Sequence, residues 1–506
     1  MIILDGNSLT LEQLASISDD HAVVALDARA AAAVDASRAV VDRHAEGETP
    51  VYGINTGFGS LAEVKIPRHA LGALQRNLLR SHAAGVGEPL PPRAVRAMMA
   101  LRANVLAKGY SGIRRATLDR LIDALNAQVH PVVPSRGSVG ASGDLAPLAH
   151  LSLVLIGEGF ATVGTDAAVL DGGTALARAG IAAVALESKE GLALINGTQA
   201  STAVAALAVL GAERLARATD LAAALAIDGL RGSYHPFEAR LHDVRPHPGQ
   251  RTAADNLLRL LQQSPINASH ENCGRVQDAY AMRCAPQVHG AARDAFAHAR
   301  RVLEIEANAA TDNPMVFADT GEIVSGGNFH GAPVAIAADL IVIGLVQLAT
   351  ISERRSDRLV NPALSGLAPF LTRDSGLHSG YMMAQVTAAA LVSELKTLAH
   401  PASADTIPTS ANREDHVSMS MGAALKAERA LQLATRVIAI EALLACQAID
   451  LLAPLATSPA LAPVHARLRS DVPTLSDDRP PSPDIESISK LIARGSLERA
   501  CAIEVK

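Results

Sequence analysis

Residues 137–148 read Gly-Ser-Val-Gly-Ala-Ser-Gly-Asp-Leu-Ala-Pro-Leu, and the Ala141-Ser142-Gly143 triplet inside them is able to react with itself. Glycine carries no Cβ beside its amide nitrogen, so approach of that nitrogen to a nearby carbonyl is sterically open. Attack of the Gly143 nitrogen on the Ala141 carbonyl closes a five-membered ring over Ser142. Loss of water from the ring and from the serine side chain then leaves an exocyclic methylidene, a strong electrophile. No standard side chain is electrophilic in this way, so a chain that makes one has chemistry needing an electron sink. A bare Ala-Ser-Gly is more often a small-residue loop before a helix. The flanking residues separate the two readings.

At 506 residues the chain exceeds the size at which one core keeps growing, so two or more lobes are expected. Hydrophobic residues make up 49% but aromatics only 2%, with no Trp, so the apolar mass is Ala, Leu, Val and Ile. Ala and Leu are strong helix formers, and this composition favours close-packed helices over a β-sandwich. The net charge of −6 is small for this length, and no basic run is interleaved with aromatics, which argues against a nucleic-acid partner. Cys273, Cys284, Cys446 and Cys501 are too dispersed for a disulfide framework and form no CxxC pair. The start, Met-Ile-Ile-Leu-Asp, has no basic segment and no long apolar stretch of a signal peptide. The longest apolar run, Leu340–Leu348, follows Asp339, already contains Gln347 and is too short to span a bilayer. A soluble, cytoplasmic protein without membrane partners is expected.

Helical periodicity dominates the chain. Leu118, Leu121, Ile122 and Leu125 mark one face, and Ala292, Phe296, Ala299 and Leu303 mark another. Phe160–Val169, turning at Gly164-Thr165, and Met315–Val324, turning around Asp319–Gly321, read as small hairpins. Long apolar helical stretches follow at Ala200–Leu230, Gly331–Ser352, Met382–Leu398 and Met419–Leu452. The expected organisation is mainly α. An N-terminal lobe at residues 1–200 holds the Ala-Ser-Gly loop, a bundle of long helices occupies 201–455, and a helical layer occupies 456–506. Several helices are apolar on more than one face, and self-association would bury the excess.

The stretch Gly137–Leu148 resembles the signature of the aromatic amino-acid ammonia-lyases and aminomutases, which build a 4-methylideneimidazol-5-one (MIO) from Ala-Ser-Gly. Further similar islands are Tyr52–Gly59 (YGINTGFG), Lys189–Thr202, Val276–Val288, Ser325–His330 and Ser410–Met419, in one order along nearly the whole chain. The resemblance implies a homotetramer whose central helices pack together and whose active sites draw loops from three subunits. It also implies that the MIO forms from Ala141, Ser142 and Gly143, with no external cofactor and no metal.

An α-amino acid resists elimination because its β-hydrogen is weakly acidic and its amine leaves poorly. An electrophile eases one half of the problem and a base facing the β-carbon eases the other. The resemblance places that base at Tyr52, whose Gly- and Asn-rich loop can present backbone N–H groups to an anion. A tyrosine has a pKa of roughly 10, so lowering it by two or three units takes about 3–4 kcal/mol. Asp144 is expected to assist ring closure, and it also reads as an N-cap for a helix starting near Leu145. By resemblance Arg283 binds the substrate carboxylate, Asn196 bonds its amino-acid end, Tyr280 stands beside the ring and Phe329 covers the methylidene.

Substrate choice is read at two places. Ser81-His82 occupies the segment where members acting on phenylalanine or tyrosine carry Phe-Leu or His-Leu, and it matches members acting on histidine. Glu414, in Asn412-Arg413-Glu414-Asp415-His416, is a partner for an imidazole N–H; a phenyl ring would leave a buried carboxylate unpaired, at a cost of several kcal/mol. L-histidine, eliminated to trans-urocanate and ammonia, is therefore the expected substrate, with His82 and Glu414 holding the imidazole. Arg413 stands where the family usually has Gln, Ala279 replaces a Pro, and Leu395 replaces an Asn. Pairing of Arg413 with Glu414 would weaken the histidine reading. The alternative is a lyase or 2,3-aminomutase acting on tyrosine, phenylalanine or histidine.

Other classes fit less well. The Gly137–Gly143 loop lacks the Gly-Lys-Ser/Thr of a phosphate-binding loop, and Asp144 stands where a serine-hydrolase elbow needs Gly. His242, Asp243 and His247 read as surface residues of a Pro-rich turn rather than as metal ligands.

Overall fold

A computed structural model describes residues 1–271 and 273–506, with the side chain of Ser60 left outside the description. The architecture is mainly α. The long apolar segments form helices at Gln199–Gly229, Ala332–Val360, Met382–Leu398 and Ser420–Leu451, close to the expected bounds except that the second continues eight residues past Ser352, through its charged end Glu353–Arg358. Both expected hairpins are present: Phe160–Val163 pairs antiparallel with Asp166–Asp171, and Met315–Phe317 with Glu322–Val324. The faces read from periodicity are buried, Leu118, Leu121, Ile122 and Leu125 on helix Arg115–Asn126 and Phe296 and Leu303 on helix Ala285–Ala307. Three-residue strands such as Ile2–Leu4 and Val24–Leu26, which pair in parallel, carry no alternating pattern long enough to read.

By contacts the chain divides into two compact units. The first gathers residues 1–207, 300–339 and 401–425; the second gathers 208–299, 340–400 and 426–506. The first unit holds the Ala-Ser-Gly loop and the small sheets. The second is built from long helices, and there Gly344 on helix Ala332–Val360 lies so close to the Phe296 ring that a Cβ would come within 2.5 Å of it.

Two helices, Ala332–Val360 and Ser420–Leu451, reach the length and hydropathy of a bilayer span, contrary to the short-run reading of Leu340–Leu348. Their most apolar windows are 67% and 83% buried within the fold, which is how core helices behave. Ile336, Met383 and Val386 nonetheless remain exposed.

The second unit also buries a charged network. Arg355 and Glu441 are fully buried and bound side to side, one arm of the fork measuring 2.9 Å. Another Arg355 nitrogen donates to the Ala281 carbonyl at 3.1 Å and lies 3.5 Å from His289 Nε2. Burial holds the His289 pKa below its usual value, so the neutral ring donates from Nδ1 to Asp220 at 2.6 Å. Breaking one partner of such a pair strands a charge in the core. Arg355→Met is expected to cost about 3–5 kcal/mol of unfolding free energy, and adding Glu441→Leu to recover most of it. Denaturant midpoints of the wild type, Arg355→Met and the double variant check this; a double variant as unstable as the single would contradict it.

Candidate active site

The Ala-Ser-Gly loop is gripped at both ends. On its N-terminal side, Met419 N–H donates to the Val139 carbonyl at 2.8 Å and the Ser418 hydroxyl to the Gly140 carbonyl at 2.9 Å. On its C-terminal side, Asp144 N–H donates to the Gly197 carbonyl at 2.7 Å, and Gly143 pairs with Gly197 in a short parallel bridge. Gly143 has φ +72°, a left-handed conformation that glycine adopts without strain. A Cβ there would collide with the backbone of Gly197. Among the described residues the Gly143 N–H has no acceptor, so the nitrogen that ring closure needs is unengaged.

Asp144 does not cap the helix that follows it. That helix, Ala146–Leu155, begins at Leu145 with φ +47° and no side-chain cap. The fully buried Asp144 carboxylate instead accepts from Ser201 N–H at 2.8 Å and the Ser201 hydroxyl at 3.2 Å, in the first turn of helix Gln199–Gly229. It caps a different helix from outside, where the helix dipole favours an anion. Its other oxygen, Oδ1, is buried without a partner among the described residues. Burial outweighs these hydrogen bonds and raises the Asp144 pKa to about 6, suiting it to hold or release a proton near neutrality. Asn196 has a matching orphan: its nitrogen donates to the Asn313 carbonyl at 2.8 Å, while its Oδ1 is buried and unpartnered.

Glu414 reaches the loop directly. The Ser142 hydroxyl donates to Glu414 Oε1 at 2.9 Å, and Thr409 and Ser410 hydroxyls donate to Oε2 at 2.6 and 2.9 Å. The backbone that presents it is unusual, because Ser410, Ala411 and Asn412 all have positive φ, at 51°, 53° and 63°. A left-handed turn of non-glycine residues costs roughly 1–2 kcal/mol per residue and needs surrounding structure to hold it. The backbone bonds between Thr409 and Glu414 close that turn. Arg413 is exposed and makes no ion pair among the described residues, so Glu414 is held by hydroxyls and not by the neighbouring cation.

His82 ends helix Leu71–His82 and sits half-buried, with Nδ1 2.9 Å from the Leu78 carbonyl. Burial lowers its pKa, against the Leu78 carbonyl and the Glu414 charge, which raise it. The neutral ring therefore donates from Nδ1 and keeps Nε2 as an acceptor. Tyr52 is half-buried, its ring edge-on to Phe58 at 6.4 Å. Its loop lends the phenol oxygen one backbone donor, Gly59 N–H at 3.4 Å. Burial and the Glu414 charge raise the Tyr52 pKa, so within one chain the loop does not lower it as its Gly-rich sequence suggests. Phe329 is half-buried, between Asn328 and His330, and the His330 and His416 rings stack at 5.8 Å.

Tyr280 and Arg283 belong to the second unit. The Arg283 guanidinium lies over the Tyr280 ring at 4.7 Å, and its Nε donates to the Asp278 carbonyl at 2.9 Å. Tyr280 is 71% exposed, so this turn offers an aromatic ring and a cation at a surface. His242, expected at the surface, is buried, with Nε2 3.0 Å from the Pro236 carbonyl and Nδ1 3.0 Å from Gln250 Nε2. Both its nitrogens are thus occupied by neighbours.

Sequence reasoning missed Gly197, Ser201, Thr409 and Ser410, which fix the loop, Asp144 and Glu414. The one available signal was Asn196-Gly197-Thr198, a turn-like step inside an otherwise helical apolar stretch.

Comparison with known proteins places this arrangement. The family profile for aromatic amino acid lyases matches residues 9–470. The chain is 58% identical over 504 residues to a histidine ammonia-lyase of Anaeromyxobacter sp. (strain K), covering 98% of this chain and 99% of that protein. Its fold superposes on the crystal structure of histidine ammonia-lyase from Trypanosoma cruzi with a TM-score of 0.92 at 45% identity, covering 99% and 94% of the two chains. Tyrosine aminomutase from Streptomyces globisporus gives a TM-score of 0.94 at 39% identity over 100% of both chains. By sequence and by fold, the chain belongs to the aromatic amino acid lyase family.

Proposed function

We propose that this chain is a carbon–nitrogen lyase that removes ammonia from L-histidine to give trans-urocanate, using an electrophile formed from Ala141, Ser142 and Gly143. The observation that carries the reading is Glu414. It stands 2.9 Å from the Ser142 hydroxyl, is held by three hydroxyls and is free of Arg413, so it is an acceptor for an N–H beside the reactive loop. The histidine ammonia-lyases with which it shares 58% and 45% identity support the same substrate.

The loop fits the MIO. Its ring-closing nitrogen is unengaged, Gly143 is packed where no Cβ fits, and two orphaned buried oxygens, Asp144 Oδ1 and Asn196 Oδ1, stand on the paired segments. Once formed, the MIO supplies an electron sink that eases departure of the substrate amine.

The remaining work falls to side chains. Arg283 binds the carboxylate as a two-pronged donor. Asn196 Oδ1 accepts from the substrate ammonium. Tyr52 takes the β-proton, and Tyr280 stands beside the ring as a second phenol. Glu414 and His82 Nε2 hold the imidazole, and Phe329 closes over the site. The exposed turn of Tyr280 and Arg283 and exposed apolar residues such as Ile336 and Met383 support self-association; with the family resemblance, this is the basis for proposing a cytoplasmic homotetramer whose sites combine loops of different subunits.

Two outcomes test this. Glu414→Ala is expected to lower kcat/KM for L-histidine by at least about a hundredfold, roughly 3 kcal/mol of transition-state stabilisation, while Arg413→Gln leaves it within about threefold. Steady-state kinetics decide, and equal losses in both variants would sink the assignment. The second outcome concerns the base. Since burial raises the Tyr52 pKa, the phenolate fraction grows as pH rises, so kcat/KM should climb between about pH 7 and 9, approaching tenfold per unit. Tyr52→Phe should lose that limb and about a hundredfold or more in kcat. A wild-type profile flat across this range, or a limb that survives in Tyr52→Phe, would remove Tyr52 from the role.

A further inference from the structure

Gly143 rests on Gly197, and Gly197 rests on something itself. A Cβ at Gly197 would meet the side chain of Gln199, Arg102 Nη1 at 2.6 Å and the Thr311 carbonyl at 2.7 Å. Arg102 is fully buried on helix Pro92–Ala107. Its guanidinium donates to the Asn196 carbonyl at 3.0 Å, to Gln199 Oε1 at 2.6 Å and to the Ala193 carbonyl. Gln199 in turn donates to the Thr311 hydroxyl at 2.7 Å. No carboxylate is hydrogen-bonded to Arg102 among the described residues, and the nearby Asp312 charge offsets only part of the cost of its burial. Burial lowers its pKa to about 10, which leaves it charged at neutral pH. A buried cation bonded to three oxygens without formal charge is an expensive arrangement, and what it fixes is the carbonyl end of helix Glu190–Ile195 and the Asn196-Gly197 step.

We propose that Arg102, locked by Gln199, is a positioning residue for cofactor assembly: it backs Gly197, which holds Gly143 and Asp144 in the ring-closing conformation. This rests on the reading that the MIO forms in this chain. The step needs no oxidant or co-reactant. The Gly143 nitrogen bonds to the Ala141 carbonyl carbon, and the Ala141 oxygen leaves as water with the Gly143 and Ser142 amide protons. The Ser142 Cα proton and Cβ hydroxyl leave as a second water. Ring closure requires the Gly143 nitrogen to stay near the carbonyl two residues back, with its neighbour pinned so that the loop cannot straighten. The Asp144 N–H to Gly197 bond is that pin, and Arg102 keeps Gly197 from yielding.

The test is the intact mass of the purified full-length protein, with folding checked by circular dichroism and assembly by gel filtration. The wild type should be lighter than its sequence by two waters, and Ser142→Ala should not lose both. Arg102→Lys keeps charge and most of the volume but loses the fork, and Gln199→Leu removes the lock. Both are expected to fold, with at least half of the molecules retaining the full mass of the unreacted chain. The proposal is overturned if both variants fold and lose two waters completely. It is equally overturned if neither folds while Ser142→Ala does, since Arg102 would then serve the fold at large. A wild type of unreduced mass would instead bring down the cofactor reading itself.

Discussion

The close contact between two glycine backbones, Gly143 and Gly197, is the constraint on which the site is built. A Cβ at Gly143 would strike the Gly197 backbone, and one at Gly197 would strike Gln199, Arg102 and Thr311, so the contact needs glycine at both places; it joins residues 143 and 197, distant in sequence. From it follow the pinned Asp144 amide, the direction of the Asp144 carboxylate into the first turn of helix Gln199–Gly229, and the exit of the chain through a left-handed Leu145. The helix gains an external cap, the carboxylate gains hydrogen bonds deep in the fold, and the reactive loop is held at both ends.

Around that contact the charges are arranged sparingly. Glu414 accepts from Ser142, Thr409 and Ser410 hydroxyls, so it keeps its position without a counter-ion. Its field raises the pKa of Tyr52 and works against the burial that lowers that of His82. One carboxylate thus biases both titratable neighbours toward the protonated form. A cationic group arriving beside Glu414 would relieve that bias.

Much of this was legible in the sequence, for identifiable reasons. Long Ala- and Leu-rich stretches with period 3.6 form helices near their expected bounds, except that Ala332–Val360 runs eight residues past the expected Ser352, and Gly164-Thr165 marks a true hairpin turn. The reactive triplet was visible because its chemistry follows from residue type, whereas Glu414 and His82 were singled out by resemblance to the family's selectivity segments. What was hidden depends on tertiary placement. Asp144 looked like a cap for its own helix, because local spacing says nothing about a helix that starts at Gln199. The left-handed Ser410-Ala411-Asn412 turn contains no glycine to announce it. His242 sits in a Pro-rich turn yet is buried by bonds to Pro236 and Gln250. The Gly-rich Tyr52 loop spends its amides elsewhere, on the Val51 and Val64 carbonyls, leaving one long donor for the phenol.

The most direct measurement is parallel incubation of the purified protein with L-histidine, L-tyrosine and L-phenylalanine, following the unsaturated acid by its ultraviolet absorbance and the amino acids by chromatography. The account predicts release of urocanate and ammonia from L-histidine, with kcat/KM at least a hundredfold above that for the other two, about 3 kcal/mol of discrimination set by Glu414 and His82. Preferential turnover of tyrosine or phenylalanine, or accumulation of a β-amino acid in place of free ammonia, would contradict it.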